Sequence, residues 1–198
     1  ALKVKPAPFF HSRLESLIEI GNFEDDFARV GECDWTIEVV VENMAVKKKL
    51  LAQVGEHRKP GSIVTTNTSG LSVAEMGSDC PKEFRQHFLG THFFNPVRYM
   101  KLLEIIPGPD TLPDVVEFMA EFGERVLGKG IVHCKDTANF IGNRIGVYGM
   151  LQTMHLMLQN GYSIDEVDAI TGPPLGHPRS ASFRTGDLAG LDTLVHVC

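Results

Sequence analysis

The sequence predicts an α/β fold in which a mostly parallel sheet is followed by the start of an all-α domain. Two β-branched runs, residues 35–41 and 62–66, flank a stretch with helical spacing, which indicates one βαβ unit of roughly thirty residues. Two further extended runs, residues 88–94 and 100–106, are separated by a short link and therefore form antiparallel neighbours. From Ala138 onward the apolar residues recur at helical spacing.

Composition and charge exclude several classes of partner. The chain has 198 residues, of which 43% are hydrophobic, with a formal net charge of -6 and a pI near 5.7. Nucleic acids and anionic membranes select proteins with a basic face, so neither is an expected partner. The sequence contains no apolar stretch of membrane-spanning length and no recognisable signal peptide.

The cysteines and histidines favour a reducing compartment and no metal site. The four cysteines lie far apart and form no C-x-x-C pair, which predicts a cytoplasmic setting. The eight histidines show no H-x-x-x-H or other metal-ligand spacing. We therefore expect neither a structural nor a catalytic metal.

The first part of the sheet follows from residues 22–66. Asn22 precedes three acidic residues, which predicts a capped helix over residues 23–30. The run W-T-I-E-V-V-V at residues 35–41 is typical of a strand that is buried on both faces of a parallel sheet. Asn43 is the expected N-cap of the following helix, which the segment Lys59-Pro60-Gly61 ends.

Polar side chains follow two neighbouring strands of this predicted sheet. Glu42 and Asn43 come after the first strand, and residues 67–69 come after the second. In parallel sheets ligands bind beyond the carboxyl ends of the strands, so we expect both loops to lie at a ligand site. Ser72 and Glu75 have the spacing of a capping box, which predicts a short helix directly after the second loop.

The antiparallel pair places a histidine opposite a carboxylate. If the two extended runs pair about the middle of their link, near Arg98, His92 falls opposite Glu104, because antiparallel partners keep a constant index sum. An imidazole with a carboxylate within reach is the arrangement of general acid–base catalysis. The same pair also fits a buried histidine bonded to a structural acid, and spacing alone leaves both interpretations open.

The remaining elements are one helix, one strand and a helical domain. Their predicted positions are a helix capped by Thr111 and ended by Gly128, a strand over residues 131–134, a helix over residues 138–160, a helix opened by a capping box of Ser163 and Glu166, and a last helix over residues 188–197. The long helix is apolar around most of its circumference, so it should lie at the centre of a packed helical unit. The predicted domains are residues 1–136 and 137–198.

Taken together, these segments resemble the 3-hydroxyacyl-CoA dehydrogenase family over nearly the whole chain. The resemblance is carried by V-V-V-E-N-M-A-V-K at residues 39–47, T-N-T-S at 66–69, H-F-F-N-P at 92–96 with K-L-L-E-I-I at 101–106, and K-D-T-A-N-F-I-G-N-R at 135–144. It implies an incomplete Rossmann-like NAD-binding domain over residues 1–136 and an incomplete helical C-terminal domain over residues 137–198. The details at residues 98–104 and 172–180 are similar to long bacterial forms that are fused to an enoyl-CoA hydratase.

The resemblance also implies roles for individual residues. It places the catalytic dyad on His92 and Glu104, the contacts to the substrate hydroxyl on Ser69 and Asn143, and the NAD contacts on Glu42, Lys47, Ser69 and Asn95. Asn143 is expected about one turn into the long helix. Lys48 or Lys49 replaces Lys47 if the helix that follows Asn43 is rotated slightly.

The implied activity is oxidation of L-3-hydroxyacyl-CoA to 3-ketoacyl-CoA with NAD, in fatty-acid β-oxidation. The implied partners are an acyl-CoA substrate, a second copy of the chain through the helical domain, and a fused hydratase domain. Two alternatives stay open. One is a dehydrogenase of another 3-hydroxy acid that carries no CoA, and the other is a non-catalytic fragment used for assembly.

One departure from the family leads to a prediction for the chain itself. The family opens with a strand, a G-x-G-x-x-G turn and a helix that bind the dinucleotide pyrophosphate, and the sequence contains no such segment, so a truncated chain is expected. We therefore expect the 198-residue chain to bind NAD weakly or not at all and to lack dehydrogenase activity. Titration of the purified chain with NADH, followed by fluorescence, tests this. Saturable binding at micromolar NADH would contradict the expectation.

Overall fold

The computed structural model describes residues 9–190 and contains a five-stranded sheet. The strands, in spatial and sequence order, are β1 (Trp35–Glu38), β2 (Ile63–Thr66), β3 (Phe88–Phe93), β4 (Leu102–Pro107) and β5 (Gly130–His133). β1, β2 and β3 pair in parallel, β3 and β4 are antiparallel, and β4 and β5 are again parallel. The predicted mostly parallel sheet is confirmed.

The helices fall into two compact units, the first ending at Ala138 and the second beginning at Asn139. The first unit has α1 (Met44–His57), α2 (Val73–Gly77), α3 (Lys82–Gln86) and α4 (Pro113–Arg125), with 3₁₀ helices at Ser12–Leu17 and Phe27–Glu32. The second has α5 (Gly142–Asn160), α6 (Ile164–Thr171) and α7 (Phe183–Ala189), with a 3₁₀ helix at Pro173–Leu175. The predicted order of a sheet-containing part followed by helices is confirmed.

The core of the first unit lies between the sheet and α4. It is formed by buried residues of β3, β4 and α4, namely Leu89, Leu103, Ile105, Val115 and Met119. A Cβ atom added to Gly123 of α4 would lie 2.7 Å from Ile131 Cδ1 and 3.0 Å from Leu103 Cδ2. The absence of a side chain at this position therefore allows the helix to pack closely on the sheet.

The prediction that the first strand is buried on both faces as far as Val41 is wrong. β1 ends at Glu38, and within the described part of the chain it lies at an edge of the sheet. Val39 is 69% exposed. The ladder stops because the backbone N–H of Val40 donates to Glu38 Oε1 at 2.6 Å, which turns the chain toward α1.

The helix predicted over residues 23–30 is replaced by a turn and a 3₁₀ helix. Asn22 Oδ1 accepts hydrogen bonds from the backbone N–H groups of Glu24 and Asp25, at 2.8 and 2.9 Å. This side-chain cap closes a turn, and the 3₁₀ helix begins only at Phe27. Local side-chain bonds of this kind compete with helical hydrogen bonds.

Two helix starts also differ from the sequence prediction. Thr111 does not cap α4, because its hydroxyl donates to the carbonyl oxygen of Phe88 and accepts from the N–H of Gly108. The long helix begins at Gly142 rather than Ala138, since Asn139 and Phe140 have φ angles of 63° and 46°. Such left-handed residues cannot be part of an α-helix.

The second unit confirms one capping signal and corrects one other prediction. Ser163 and Glu166 form the predicted capping box at the start of α6. Among the described residues, however, no side chain of α5 is buried, since the described helices are too few to enclose an apolar helix on all sides. The last described helix is α7, and most of the helix predicted over residues 188–197 lies outside the described residues.

Asp136 holds the start of α2 although it is distant in sequence. Its carboxylate accepts hydrogen bonds from Ser72 Oγ and from the N–H groups of Val73 and Ala74, all at 2.8 Å. We expect Asp136→Ala to lower the free energy of unfolding by about 1–3 kcal/mol, because a helix cap and charged hydrogen bonds are lost. Denaturant titration measures this difference.

The control for this prediction is Asp79→Ala. The Asp79 side chain is 69% exposed and pairs with Lys48 at 3.2 Å. Exposed ion pairs contribute little, so this variant should stay within about 0.5 kcal/mol of wild type. Equal destabilisation by the two substitutions would show that the Asp136 contacts do not stabilise the fold.

Candidate active site

The predicted site residues of the first unit meet at one edge of the sheet. The parallel strands β1, β2 and β3 end there, and ligands bind at this edge in α/β sheets. Glu42 lies in the turn between β1 and α1, Ser69 lies in the loop after β2, and His92 is the fifth residue of β3. Asn43 caps α1, as predicted, by accepting a hydrogen bond from the N–H of Val46.

His92 and Glu104 form a buried pair. The β3–β4 register places them directly opposite each other, which confirms the register predicted from the index sum. His92 Nδ1 lies 2.7 Å from Glu104 Oε2, and the two side chains are 4% and 0% exposed. A carboxylate can only accept, so Nδ1 carries a proton, and in the neutral form of the ring Nε2 has a lone pair.

Ser69 faces that lone pair. Its Oγ lies 3.1 Å from His92 Nε2, a distance at which the hydroxyl donates to the ring. The loop is tied to the next strand by Asn67, whose Oδ1 accepts from the backbone N–H of Phe93 at 2.9 Å. Ser69 is thus held beside the imidazole by contacts of its own loop.

Glu42 organises the same loop from the side of β1. Its Oε1 accepts hydrogen bonds from the Thr68 hydroxyl and from the N–H groups of Ser69 and Gly70, the latter two at 3.0 and 3.2 Å. Burial raises the pKa of the Glu42 carboxyl. The hydrogen bond from Thr68, the charge of Lys47 and the hydrogen bond from the Ser69 N–H together lower this pKa by more than burial raises it, so it lies below its usual value. Glu42 is therefore ionised at neutral pH.

The structure decides among the three consecutive lysines. Lys47 points into the protein and is 1% exposed, with its Nζ 2.8 Å from Glu38 Oε1 and 3.3 Å from Glu42 Oε2. Lys48 instead contacts Ser78 and Asp79 at the surface, and Lys49 is exposed. Lys47 therefore faces the site, although its ammonium group is directed at carboxylates of the protein.

Two predicted residues belong to other segments of the chain. Asn95 is exposed in the turn between β3 and β4, where the bond to Pro96 is cis. Asn143 belongs to the second unit and is the second residue of α5, which is earlier in that helix than predicted. The site that the first unit builds by itself therefore consists of Glu42, Ser69, His92 and their partners.

Sequence reasoning missed Glu38, Phe94 and Cys134. Glu38 is 3% exposed and accepts from Lys47, and an acidic residue within a β-branched run could have indicated it, since a buried carboxylate needs a partner. The Phe94 ring lies 4.5 Å from the His92 ring, centroid to centroid. Cys134 Sγ lies 3.5 Å from Glu104 Oε1. No local pattern marks the last two contacts.

The fold and these side chains define a Rossmann-like α/β protein with a buried His–Glu pair at the edge of the sheet where its parallel strands β1, β2 and β3 end. Residues 9–190 contain no helix with both the length and the apolar character required to span a membrane. The structure thus presents a candidate active site, and comparison with known proteins identifies its family.

Two family descriptions match the chain. "3-hydroxyacyl-CoA dehydrogenase, NAD binding domain" matches residues 3–137, and "3-hydroxyacyl-CoA dehydrogenase, C-terminal domain" matches residues 140–198. The chain belongs to the 3-hydroxyacyl-CoA dehydrogenase family. The family resemblance inferred from the sequence motifs is confirmed.

Relatives and solved structures agree with this assignment. The chain is 60% identical over 196 residues to a "Probable 3-hydroxyacyl-CoA dehydrogenase" of Bacillus subtilis, covering 99% of the chain and 25% of that relative. It is 43% identical over 197 residues to a protein of the same name in Deinococcus radiodurans, covering 100% of the chain and 57% of the relative. The crystal structure of FadB2 of M. tuberculosis superposes with a TM-score of 0.80 and 30% identity, covering 87% of this chain and 60% of that one. The chain thus spans between a quarter and three fifths of these proteins.

Proposed function

We propose that the protein carrying this chain is an oxidoreductase that oxidises the 3-hydroxyl group of an L-3-hydroxyacyl-CoA, with NAD as hydride acceptor, in fatty-acid β-oxidation. The observation that carries the proposal is the Glu104–His92–Ser69 arrangement, in which a buried carboxylate holds an imidazole whose other nitrogen faces a hydroxyl. Membership of the family supports the choice of substrate and cofactor.

In the proposed mechanism His92 is the general base. Nε2 removes the proton of the substrate hydroxyl, and a positive charge develops on the ring. Glu104, 2.7 Å from Nδ1, keeps the ring in the required tautomer and offsets this charge. When substrate is bound, Ser69 Oγ, on the Nε2 side of the ring, donates to the reacting oxygen instead of to Nε2. Asn143 is proposed as the second contact to this oxygen.

The residues at the sheet edge fit a dinucleotide. The Glu42 side chain is 44% exposed, and its Oε2 can accept hydrogen bonds from ribose hydroxyls while Oε1 is taken by the loop. Asn95 and Ser69 are the other proposed contacts. NAD, when bound, supplies the hydride acceptor. The proposed contact of Lys47 with the cofactor stays a prediction, and the burial of its ammonium group favours action through Glu42.

The remaining proposals concern the setting of the enzyme. We propose a cytoplasmic location, an acyl-CoA substrate, pairing with a second copy of the chain, and an enoyl-CoA hydratase domain in the same polypeptide. The relatives are longer than the chain, which leaves room for further domains in their case. The location follows from the spacing of the cysteines and the other proposals follow from the family resemblance, and all of them stay predictions.

An activity assay tests the proposed function. The complete protein that carries this chain is mixed with NADH and a short 3-ketoacyl-CoA, and loss of NADH absorbance is followed. The matched control is the corresponding 3-keto acid without CoA. Turnover of the thioester at a kcat/KM at least about tenfold above that of the free acid is expected, and a preference for the free acid would favour the alternative dehydrogenase.

A further inference from the structure

Glu38 is a buried carboxylate that joins three elements. It is the last residue of β1 and is 3% exposed. Its Oε1 accepts from Lys47 Nζ at 2.8 Å and from the N–H of Val40 at 2.6 Å, and its Oε2 accepts from Lys47 Nζ at 2.9 Å and from Thr66 Oγ1 at 2.6 Å. The carboxylate therefore links the turn after β1 to helix α1 and to the end of β2.

Lys47 connects Glu38 to the candidate site. Its ammonium group donates to the Glu38 carboxylate and to the carbonyl oxygen of Val40 at 3.1 Å, and it lies 3.3 Å from Glu42 Oε2. An ammonium group has three N–H bonds, and each has an acceptor here. The position of the positive charge is therefore set by Glu38, and Glu42 lies against it.

Glu42 in turn fixes the loop that carries Ser69. Its other oxygen accepts from the Thr68 hydroxyl and from the N–H groups of Ser69 and Gly70. Ser69 Oγ faces His92 Nε2 at 3.1 Å. A continuous series of contacts thus runs from Glu38 through Lys47, Glu42 and Ser69 to the imidazole.

We propose that Glu38, acting through Lys47, is a positioning residue that holds Glu42 and the 68–70 loop in the geometry required for cofactor binding and proton transfer. This inference rests on the proposed function. Glu38 does not contact substrate or cofactor in this account, because its carboxylate is enclosed by groups of the protein. Its effect on activity is indirect.

A merely structural role would show a different pattern. Removal of one partner leaves an unpaired buried charge, so each single variant loses stability under either account. The double variant Glu38→Gln/Lys47→Met removes both charges and avoids this penalty. If the pair only stabilises the fold, the double variant should recover both stability and activity; if it positions the loop, stability should recover while activity stays low.

The first experiment measures how well the 68–70 loop is held in place and does not depend on enzyme activity. Hydrogen exchange of the Ser69 and Gly70 amides is measured in the complete protein for the wild type, for the double variant and for Lys48→Met. Lys48 is on the same helix, and its loss removes only surface contacts with Ser78 and Asp79. Exchange at these two amides should rise at least about tenfold in the double variant and stay unchanged in Lys48→Met. Unchanged exchange in a folded double variant would overturn the proposal.

A second variant keeps the test decisive if the double variant does not fold. Glu38→Asp retains the charge but withdraws the carboxylate by one methylene group, so the contacts with Lys47 and Thr66 cannot all be kept. Exchange at Ser69 and Gly70 should again increase. Wild-type protection in a folded Glu38→Asp variant would overturn the proposal.

The second experiment separates the positioning role from the proposed function. The kcat/KM for NAD should fall between about 10- and 100-fold, mainly through KM, both in Glu38→Asp, which leaves Lys47 in place, and in the double variant, whose melting temperature should stay close to wild type, because misplacement of a contact group costs rate without unfolding the protein. Recovery of wild-type kinetics in the double variant would overturn the positioning role. If the wild-type protein shows no acyl-CoA activity, the proposed function fails, and the amide exchange still decides whether Glu38 positions the loop.

Discussion

Replacement of His92 by glutamine is expected to lower kcat by about 10²–10⁴-fold while the protein stays folded, since this is the usual contribution of a general base. In the wild type Glu104 Oε2 lies 2.7 Å from His92 Nδ1. Glutamine has a similar size and can still donate to this oxygen, but it cannot accept the substrate proton. KM for the acyl-CoA should change much less than kcat. Steady-state kinetics of the complete protein, with circular dichroism as a check of folding, measure the effect.

A matched control for this variant exists on the surface of the same unit. His87 lies 3.4 Å from Glu83 Oε1, and the two side chains are 18% and 55% exposed. His87→Gln removes an imidazole beside a glutamate at a position remote from the sheet edge that carries Ser69, so its kcat should equal that of wild type. Near-normal turnover of a folded His92→Gln variant would show that His92 is not the base.

Replacement of Glu104 by glutamine is expected to lower kcat for hydroxyl oxidation while the protein stays folded. The carboxylate is fully buried, 2.7 Å from His92 Nδ1. Glutamine keeps a hydrogen bond to the ring but carries no charge, so the positive charge that develops on the ring during proton transfer is no longer offset. Steady-state kinetics of the complete protein, with circular dichroism as a check of folding, measure the fall.

The control for this variant is Glu83→Gln. It removes a carboxylate that pairs with Arg58 and His87, and it should leave kcat unchanged. A wild-type kcat in a folded Glu104→Gln variant would show that the carboxylate does not assist the ring. The buried pair would then be a structural feature, which is the other interpretation that the sequence left open.

Burial explains why the same two residue types should behave so differently at the two places. The His87 and Glu83 side chains are 18% and 55% exposed, so solvent screens their interaction, and such pairs contribute little. At the site the Glu104 carboxylate has lost its water, with its second oxygen 3.5 Å from Cys134 Sγ, so its interaction with the ring is much less screened. The same loss of water makes removal of the charge a large perturbation.

Local sequence patterns predicted the main features of the fold because their causes are local. The N-cap at Asn43 and the capping box of Ser163 and Glu166 depend on residues a few positions apart, and the structure confirms both. The His92–Glu104 register was also predictable, since a short link between two strands determines which residues face each other. The family resemblance added the proposed roles of the site residues.

The errors arose where a distant residue or a local side-chain bond overrides a pattern. Thr111 is a residue type that commonly caps helices, but its hydroxyl donates to the carbonyl oxygen of Phe88, 23 positions earlier. The long helix begins at Gly142 because Asn139 and Phe140 adopt left-handed conformations, which their sequence does not require. Propensity is a weak preference, and such contacts outweigh it.

By itself, the sequence determined the order of the strands and helices, the pairing of His92 with Glu104 and membership of the family, because each depends on spacing along the chain. Only the tertiary structure showed which of the three lysines faces the site. It also showed that the ammonium group of Lys47 lies between the carboxylates of Glu38 and Glu42. Three consecutive lysines differ by about 100° steps around a helix, so a small rotation exchanges them. The rotation of α1 is set by burial of Lys47 against Glu38, since a buried ammonium group is stable only beside a carboxylate.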